Sequence, residues 1–268
     1  MQTPPARTLA GRCPRRQAPT AGEPAGRRLR PDRLPSVPGA DLAVRHQPDG
    51  DSRTGTAFSD AFAAGAGRWR LVAGHVGGHV PGGPPAAAAL AELARRLLRT
   101  AAGDTGPAAA IDRLDGLVED LGRPALPLGA VCVDLVRQRE AFLLVAARVA
   151  HRPPLVMRAT GAVLAVRVPG GGSGRAAWPE PAELAVELQP GDTVLLCTGG
   201  ATPGEPVGDP RFSALLAGCA ARPPQAVLDH LGRALADRWA PAAPGASFLA
   251  LRVRGGRVRA AAPAWPPD

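Results

Sequence analysis

The sequence contains no lysine and no tyrosine, and aromatic residues make up only 3% of its 268 positions. Every fixed positive side chain is therefore an arginine, which reads as a bias of composition and not as chemistry. Cysteine is scarce and scattered. Cys13, Cys132, Cys197 and Cys219 form no CxxC pair and no metal-finger spacing, which argues against a disulfide framework or a structural zinc. Cys132 and Cys197 fall inside apolar, strand-like runs and read as small buried hydrophobes in a reducing compartment. No apolar run approaches the roughly 20 residues needed to span a bilayer, and the arginine-rich N-terminus lacks the apolar stretch of a signal peptide. These absences lead to the expectation of a cytoplasmic protein with no membrane partner.

The formal net charge is +9. Such a charge spread over a folded face would point to nucleic acid, but here most of it is concentrated in a tail. Residues 1–33 hold eight arginines against Glu23 and Asp32, so 8 − 2 = +6 of the charge lies there. That segment is rich in Pro, Gly and Ala with little to bury, so it is expected to be disordered. A nucleic-acid partner is not expected. The organisation follows as an N-terminal tail over 1–33, one domain over 34–254 and a Pro-rich C-terminal tail over 255–268. A chain of this length buries enough surface to fold without disulfides or metal.

The remaining chain is organised around residues 68–80, Arg-Trp-Arg-Leu-Val-Ala-Gly-His-Val-Gly-Gly-His-Val. Leu71, Val72 and Ala73 make an apolar run of strand length. Gly74, Gly77 and Gly78 are read as supplying positive-φ freedom for a tight turn that carries His75 and His79. Upstream, alternation predicts an edge strand over 40–46 and a second strand over 57–63. Downstream, helical spacing of leucines predicts helices over 84–100 and 107–121. The period then changes. Apolar β-branched runs over 128–136 and 141–150 predict a buried hairpin, in which Asp134 is read as an outward residue. Further strand pairs are predicted over 154–158 with 162–168, and over 184–188 with 193–198 around a turn containing Asp192. The glycine-rich run after residue 169 lacks the lysine of a phosphate loop and reads as a connection. Helices over 210–220 and 224–239 and a strand over 247–254 complete the order. Antiparallel hairpins beside paired helices imply an α+β fold, a four-layer α-β-β-α sandwich.

The motifs resemble those of the PPM (protein phosphatase 2C-like) serine/threonine phosphatases, in particular the SpoIIE/RsbU subgroup that dephosphorylates anti-sigma-factor antagonists. The resemblance covers residues 28–254. Gly55-Thr-Ala-Phe-Ser-Asp-Ala-Phe62 sits where the family has Gly-Gly-Asp-Phe-Tyr-Asp-x-Phe. The strand and turn through His75 and His79 sit where it has Gly-Asp-Val-Ser-Gly-x-Gly. Ala150-His-Arg-Pro-Pro-Leu155 is similar to Gly-His-Pro-Pro-Pro-Leu, and the run from Leu188 to Thr202 is similar to Leu-x-Pro-Gly-Asp-x-Leu-Leu-Leu-Tyr-Thr-Asp-Gly-Val-Thr.

The resemblance implies two-metal hydrolysis, in which acidic side chains hold a pair of Mg²⁺ or Mn²⁺ ions that activate water and clamp the phosphoryl oxygens. At the four aspartate positions it implies, this chain has Ala57, His75, Gly199 and, at a final Asp-Asp pair, Pro244-Gly245. None is a carboxylate. The reading that follows is a vestigial metal site and a pseudophosphatase that regulates by binding a protein partner, an anti-sigma antagonist or its kinase. No catalytic residue, metal or cofactor is expected on that reading. The alternative is an active enzyme that uses Mn or Mg through substituted ligands. Nearby candidates are Asp60, Gly74, His79 and His151. His75 and His79, with Asp60 or His151, could offer donors to a softer ion such as Zn²⁺, but the intervening glycines fix no common face and the acids of a hydrolase are still absent.

Overall fold

The computed structural model describes residues 29, 33–47, 56–78, 80–103, 105–121, 128–139, 141–169, 182–198, 210–238 and 246–255. The strands are β1 (Ala40–Gln47), β2 (Ala57–Gly65), β3 (Arg68–Val76), β4 (Leu128–Gln138), β5 (Ala141–Val149), β6 (Leu155–Met157), β7 (Val163–Ala165), β8 (Leu184–Leu188), β9 (Thr193–Cys197) and β10 (Ala246–Val253). The helices are α1 (Gly83–Thr100), α2 (Pro107–Asp120), α3 (Pro210–Ala217) and α4 (Pro224–Arg238). Two five-stranded sheets result, ordered β1-β10-β9-β6-β7 and β2-β3-β4-β5-β8, with every paired neighbour antiparallel.

Side-chain alternation builds the layers. Leu71 and Ala73 of β3, Val131, Val133 and Leu135 of β4, and Val194, Leu196, Leu249 and Leu251 of the other sheet fill the space between the sheets. The opposite parity of β2–β4, with Phe58, Phe62, Val72 and Cys132, packs under α1 and α2. On the far side, Leu195, Phe248 and Ala250 pack with Phe212 of α3 and Leu228 and Leu231 of α4. This is the expected α-β-β-α sandwich, because each sheet has two apolar faces and each needs a cover.

Three expectations are corrected. First, β8 and β9 do not pair with each other: β8 joins β5, whereas β9 sits between β6 and β10 in the other sheet. The turn at Pro190-Gly191 therefore carries the chain from one sheet to the other. Asp192 holds that crossing, its carboxylate accepting from the main-chain N–H groups of Gln189 and Ala159 and pairing with Arg158 at 2.6 Å. Second, Leu29, assigned to the tail, is fully buried in the helix-side core, and its carbonyl accepts from the Ser59 N–H. Apart from Leu29 and Arg33, the tail lies outside the described residues.

Third, Asp134 does not face solvent. It is buried on the helix side of β4, where its two oxygens accept from Nε and Nη2 of Arg70 at 2.7 and 2.9 Å. The Arg70 guanidinium also donates to the carbonyls of Ala101 and Thr105, so it ties the α1–α2 connection to the sheet. Asp134→Ala leaves that buried guanidinium without its carboxylate and is expected to lower the unfolding free energy by roughly 3–5 kcal/mol. The readout is a lower urea midpoint at unchanged slope. Combining Arg70→Met with Asp134→Leu should recover most of the loss, and an unmoved midpoint in Asp134→Ala would refute the pair's structural role.

Candidate functional site

The register of β2, β3 and β4 aligns three of the singled-out positions in a row across one end of the sheet. Ala57 is paired with His75, and His75 in turn with Gly129. By alternation with Ser59, Ala61 and Ala73, the side chains at 57 and 75 face the other sheet. Ala57 is buried and brings only a methyl group. The strands behind this row are close: a Cβ at Gly129 would lie 2.2 Å from the Ala150 carbonyl oxygen and 3.1 Å from Cε1 of His75. Glycine is required there by close approach, and the consequence is that the His75 ring lies beside the start of the β5–β6 connection.

That connection presents His151. The two imidazoles are tilted at 53° with ring centres 5.8 Å apart. His151 is only 5% exposed, and its Nδ1 lies 2.9 Å from the main-chain oxygen of Arg152. A carbonyl can only accept, so Nδ1 carries the proton and Nε2 presents a bare lone pair. Nε2 of His151 and Nδ1 of His75 are both buried, and neither has a hydrogen-bond partner among the described residues. Burial, reinforced by the charges of His75, Arg152 and Arg148 against the opposing hydrogen bond to the Arg152 carbonyl, pushes the His151 pKa down to about 3. Burial and then the Arg152 charge push His75 down as well. Both rings are neutral at neutral pH.

The other sheet contributes hydroxyls. Ser247 Oγ donates to Ser59 Oγ at 2.7 Å, and the Ser247 N–H donates to Thr198 Oγ1 at 2.7 Å. All three residues are fully buried. This chain links β2 to the ends of β9 and β10, and none of its members was singled out from sequence. Ser59 stands two residues after Ala57 on the same face, and that parity was the available signal.

Two candidates point elsewhere. Asp60 is on the opposite face of β2, fully buried, with Oδ2 accepting from Arg95 at 2.7 Å and Arg99 at 2.9 Å. It cannot join His75, because adjacent parities of one strand face opposite sides of the sheet. Arg99 also lies over the Phe62 ring, 5.0 Å from its centre. Gly74 is not a turn residue: it lies within β3, where a Cβ would come 2.3 Å from the Phe58 ring, while the positive φ of 64° belongs to Gly78. His79, Gly199, Pro244 and Gly245 lie outside the described residues. Among the described residues, no three His, Cys, Asp or Glu side chains are grouped so as to hold a metal ion. Burial pushes the thiols of Cys132 and Cys197 up to about 12, so neither is a nucleophile at neutral pH.

The histidines give the fold a pH dependence whose sign is fixed. The folded His151 pKa of about 3 lies below the roughly 6.5 of an unfolded chain, so the unfolded state binds more protons between these values. The stability contributed by the neutral ring is complete above about pH 6.5 and is lost as pH falls towards 3, approaching about 1.4 kcal/mol per pH unit for one proton. His75 adds to the slope. Urea unfolding between pH 7 and 4 should show this decline, and His151→Gln should flatten it; an equally steep decline in the variant would refute the assignment.

Comparison with known proteins gives a consistent result. The profile of the stage II sporulation protein E (SpoIIE) family matches residues 65–254. No curated protein matches the sequence. Among solved structures, the RsbU and RsbW domains of Rv1364c from Mycobacterium tuberculosis superpose with a TM-score of 0.69 at 24% identity, covering 82% of this chain and 62% of that one. The PP2C phosphatase domain and a regulatory-domain fragment of the cell fate determinant SpoIIE from Bacillus subtilis superpose at 0.66 and 12% identity, covering 80% and 64%. The SiaA-PP2C domain of Pseudomonas aeruginosa gives 0.63 at 21% identity, covering 79% and 85%. This chain thus spans less than two thirds of the first two, and at these identities the likeness is one of fold.

Proposed function

The chain belongs to the SpoIIE family and has the PPM-type phosphatase fold, and from that premise we propose that it is a pseudophosphatase that regulates by binding a protein partner. Ala57, His75, Gly199, Pro244 and Gly245 are then a vestigial metal site. The observation that carries this reading is the row Ala57–His75–Gly129, which offers a methyl, an imidazole and no side chain towards the other sheet.

Two hard divalent ions do not fit such a set. Mg²⁺ and Mn²⁺ are held by carboxylate oxygens, and Gly199, Pro244 and Gly245 carry no side-chain donor wherever they lie. The nearby aspartates Asp60 and Asp134 face the helices and are paired with arginines. The positive charges of Arg148 and Arg152, which depress His151, further disfavour an ion bound mainly by electrostatics. No hydrolytic step is therefore assigned.

The family context suggests the partner. RsbU and RsbW domains occur together in Rv1364c, and another match is to a structure described as part of the bacterial stressosome, a modular system adapted to control secondary messenger signalling. By that analogy the partner is an anti-sigma antagonist or its kinase, in the cytoplasm. No described helix is long and apolar enough to cross a membrane.

The test is hydrolysis of p-nitrophenyl phosphate and of a phosphorylated antagonist with Mn²⁺ or Mg²⁺, together with calorimetric titration of Mn²⁺. The expected outcome is no turnover above the protein-free blank and no Mn²⁺ binding at millimolar or lower concentration. Metal-dependent turnover that disappears in His75→Ala would instead establish an active phosphatase with substituted ligands.

A further inference from the structure

The β5–β6 connection takes the chain from one sheet to the other, because β5 lies between β4 and β8 whereas β6 lies beside β9. It crosses at the end of the sandwich where Ala57, His75 and Gly129 form their row. Ala150, which opens the crossing, has a φ of 43°. That is the left-handed region, which a Cβ disfavours, so the bend carries strain. The Ala150 carbonyl passes so near β4 that only the missing side chain of Gly129 admits it. Arg148 fastens the crossing from the side: Nη1 donates to the His151 carbonyl at 2.7 Å and Nε to the Val168 carbonyl at 2.9 Å.

We propose that residues 150–154 are a strap that closes the mouth between the sheets over Ala57 and His75, with Arg148 as its catch and the left-handed Ala150 as a spring that favours opening. His151 is the plug. It is buried, and its ring centre lies 5.8 Å from that of His75. Its Nδ1 bonds to the Arg152 carbonyl within the strap, so this bond travels with the strap and does not resist its movement.

The two ends differ. At the far end Pro154 is buried, and its carbonyl accepts from the Val166 N–H at 2.8 Å, which ties it to the second sheet. Pro153 and Pro154 each have φ fixed by their rings and stiffen the segment between. The near end has the strained residue, which is exposed, so the hinge falls at Ala150. A change of its φ to the negative region relieves the strain, withdraws His151 and uncovers His75 and Ala57. Burial of His151 and the bond from Arg148 oppose this and hold the strap shut. The inference is independent of the partner-binding reading, because the strap is measured on the chain alone.

The experiment treats the full chain with diethyl pyrocarbonate, which acylates neutral imidazole, and follows modification of His151 by mass spectrometry. In the unsubstituted chain His151 should react slowly, at a rate that low urea does not change, because local opening exposes little further surface. Arg148→Met removes a charge-assisted hydrogen bond and should accelerate modification on the order of tenfold, while hydrogen exchange in β4 stays as slow as before. Ala150→Gly makes the left-handed bend free of strain and should slow modification roughly two- to fivefold. Should Arg148→Met fail to fold, the other two measurements still decide. Modification of His151 only through global unfolding, an unchanged rate in a folded Arg148→Met, or a faster rate in Ala150→Gly would each overturn the strap.

Discussion

A strand shows each side chain to one face of its sheet only, and the alternation along β3 decides what the rest of this molecule can do. Trp69, Leu71, Ala73 and His75 face the second sheet, whereas Arg70, Val72, Gly74 and Val76 face the helices. Because β2 and β4 are in register with it, their residues are sorted in the same way. The aspartates Asp60 and Asp134 are both sorted to the helix side and there pair with Arg95, Arg99 and Arg70. Neither can turn inward without moving its whole strand by a residue, which would expose the apolar face. The edge between the sheets therefore has no carboxylate from these strands, and this follows from register alone.

The same sorting makes the two ends of the helix layer dependent on charge. Arg70 bridges Asp134 and the carbonyls that close α1 and open the α1–α2 connection, while Arg95 and Arg99 converge on a single oxygen of Asp60. Breaking such pairs costs far more than they contribute relative to an apolar replacement, because the abandoned charge remains buried. They act mainly to determine where α1 sits on the sheet.

Much of the fold was legible in the sequence because its strands alternate cleanly and its helices are leucine-rich. The β4–β5 hairpin and the helix pairs appear where periodicity put them. The error at β8 and β9 has a specific cause. Two apolar runs separated by Pro-Gly-Asp look like a hairpin, yet Thr193–Cys197 is buried on both faces whereas Leu184–Leu188 is largely exposed. A continuous apolar run beside an alternating one belongs to a different position in a different sheet, and composition recorded that difference. Asp134 was misread because a lone acid in an apolar strand looks exposed when its partner, Arg70, is 64 positions away. The motif alignment singled out Ala57 and His75, which the register of β2 and β3 pairs, but the approach of His151 depends on the close passage of Gly129 by the Ala150 carbonyl, which periodicity does not reveal. Asp60 was joined to the histidines because spacing along the chain does not distinguish the faces of a strand.

An edge where two sheets meet needs something to hold it together. In a two-metal centre the ions themselves cross-link the strands that carry their ligands, and removing them leaves clustered carboxylates that repel one another. Here the join is made by Ser59, Ser247 and Thr198, buried hydroxyls that connect β2 to β10 and β9 through two bonds of 2.7 Å each. Hydroxyls donate and accept without carrying charge, so their burial requires only hydrogen-bond partners, which they supply to one another and to the backbone. The neutral residues at 57 and 75 add no repulsion beside them. Among the described residues, the architecture at this edge is thus held by packing and by hydrogen bonds between uncharged groups.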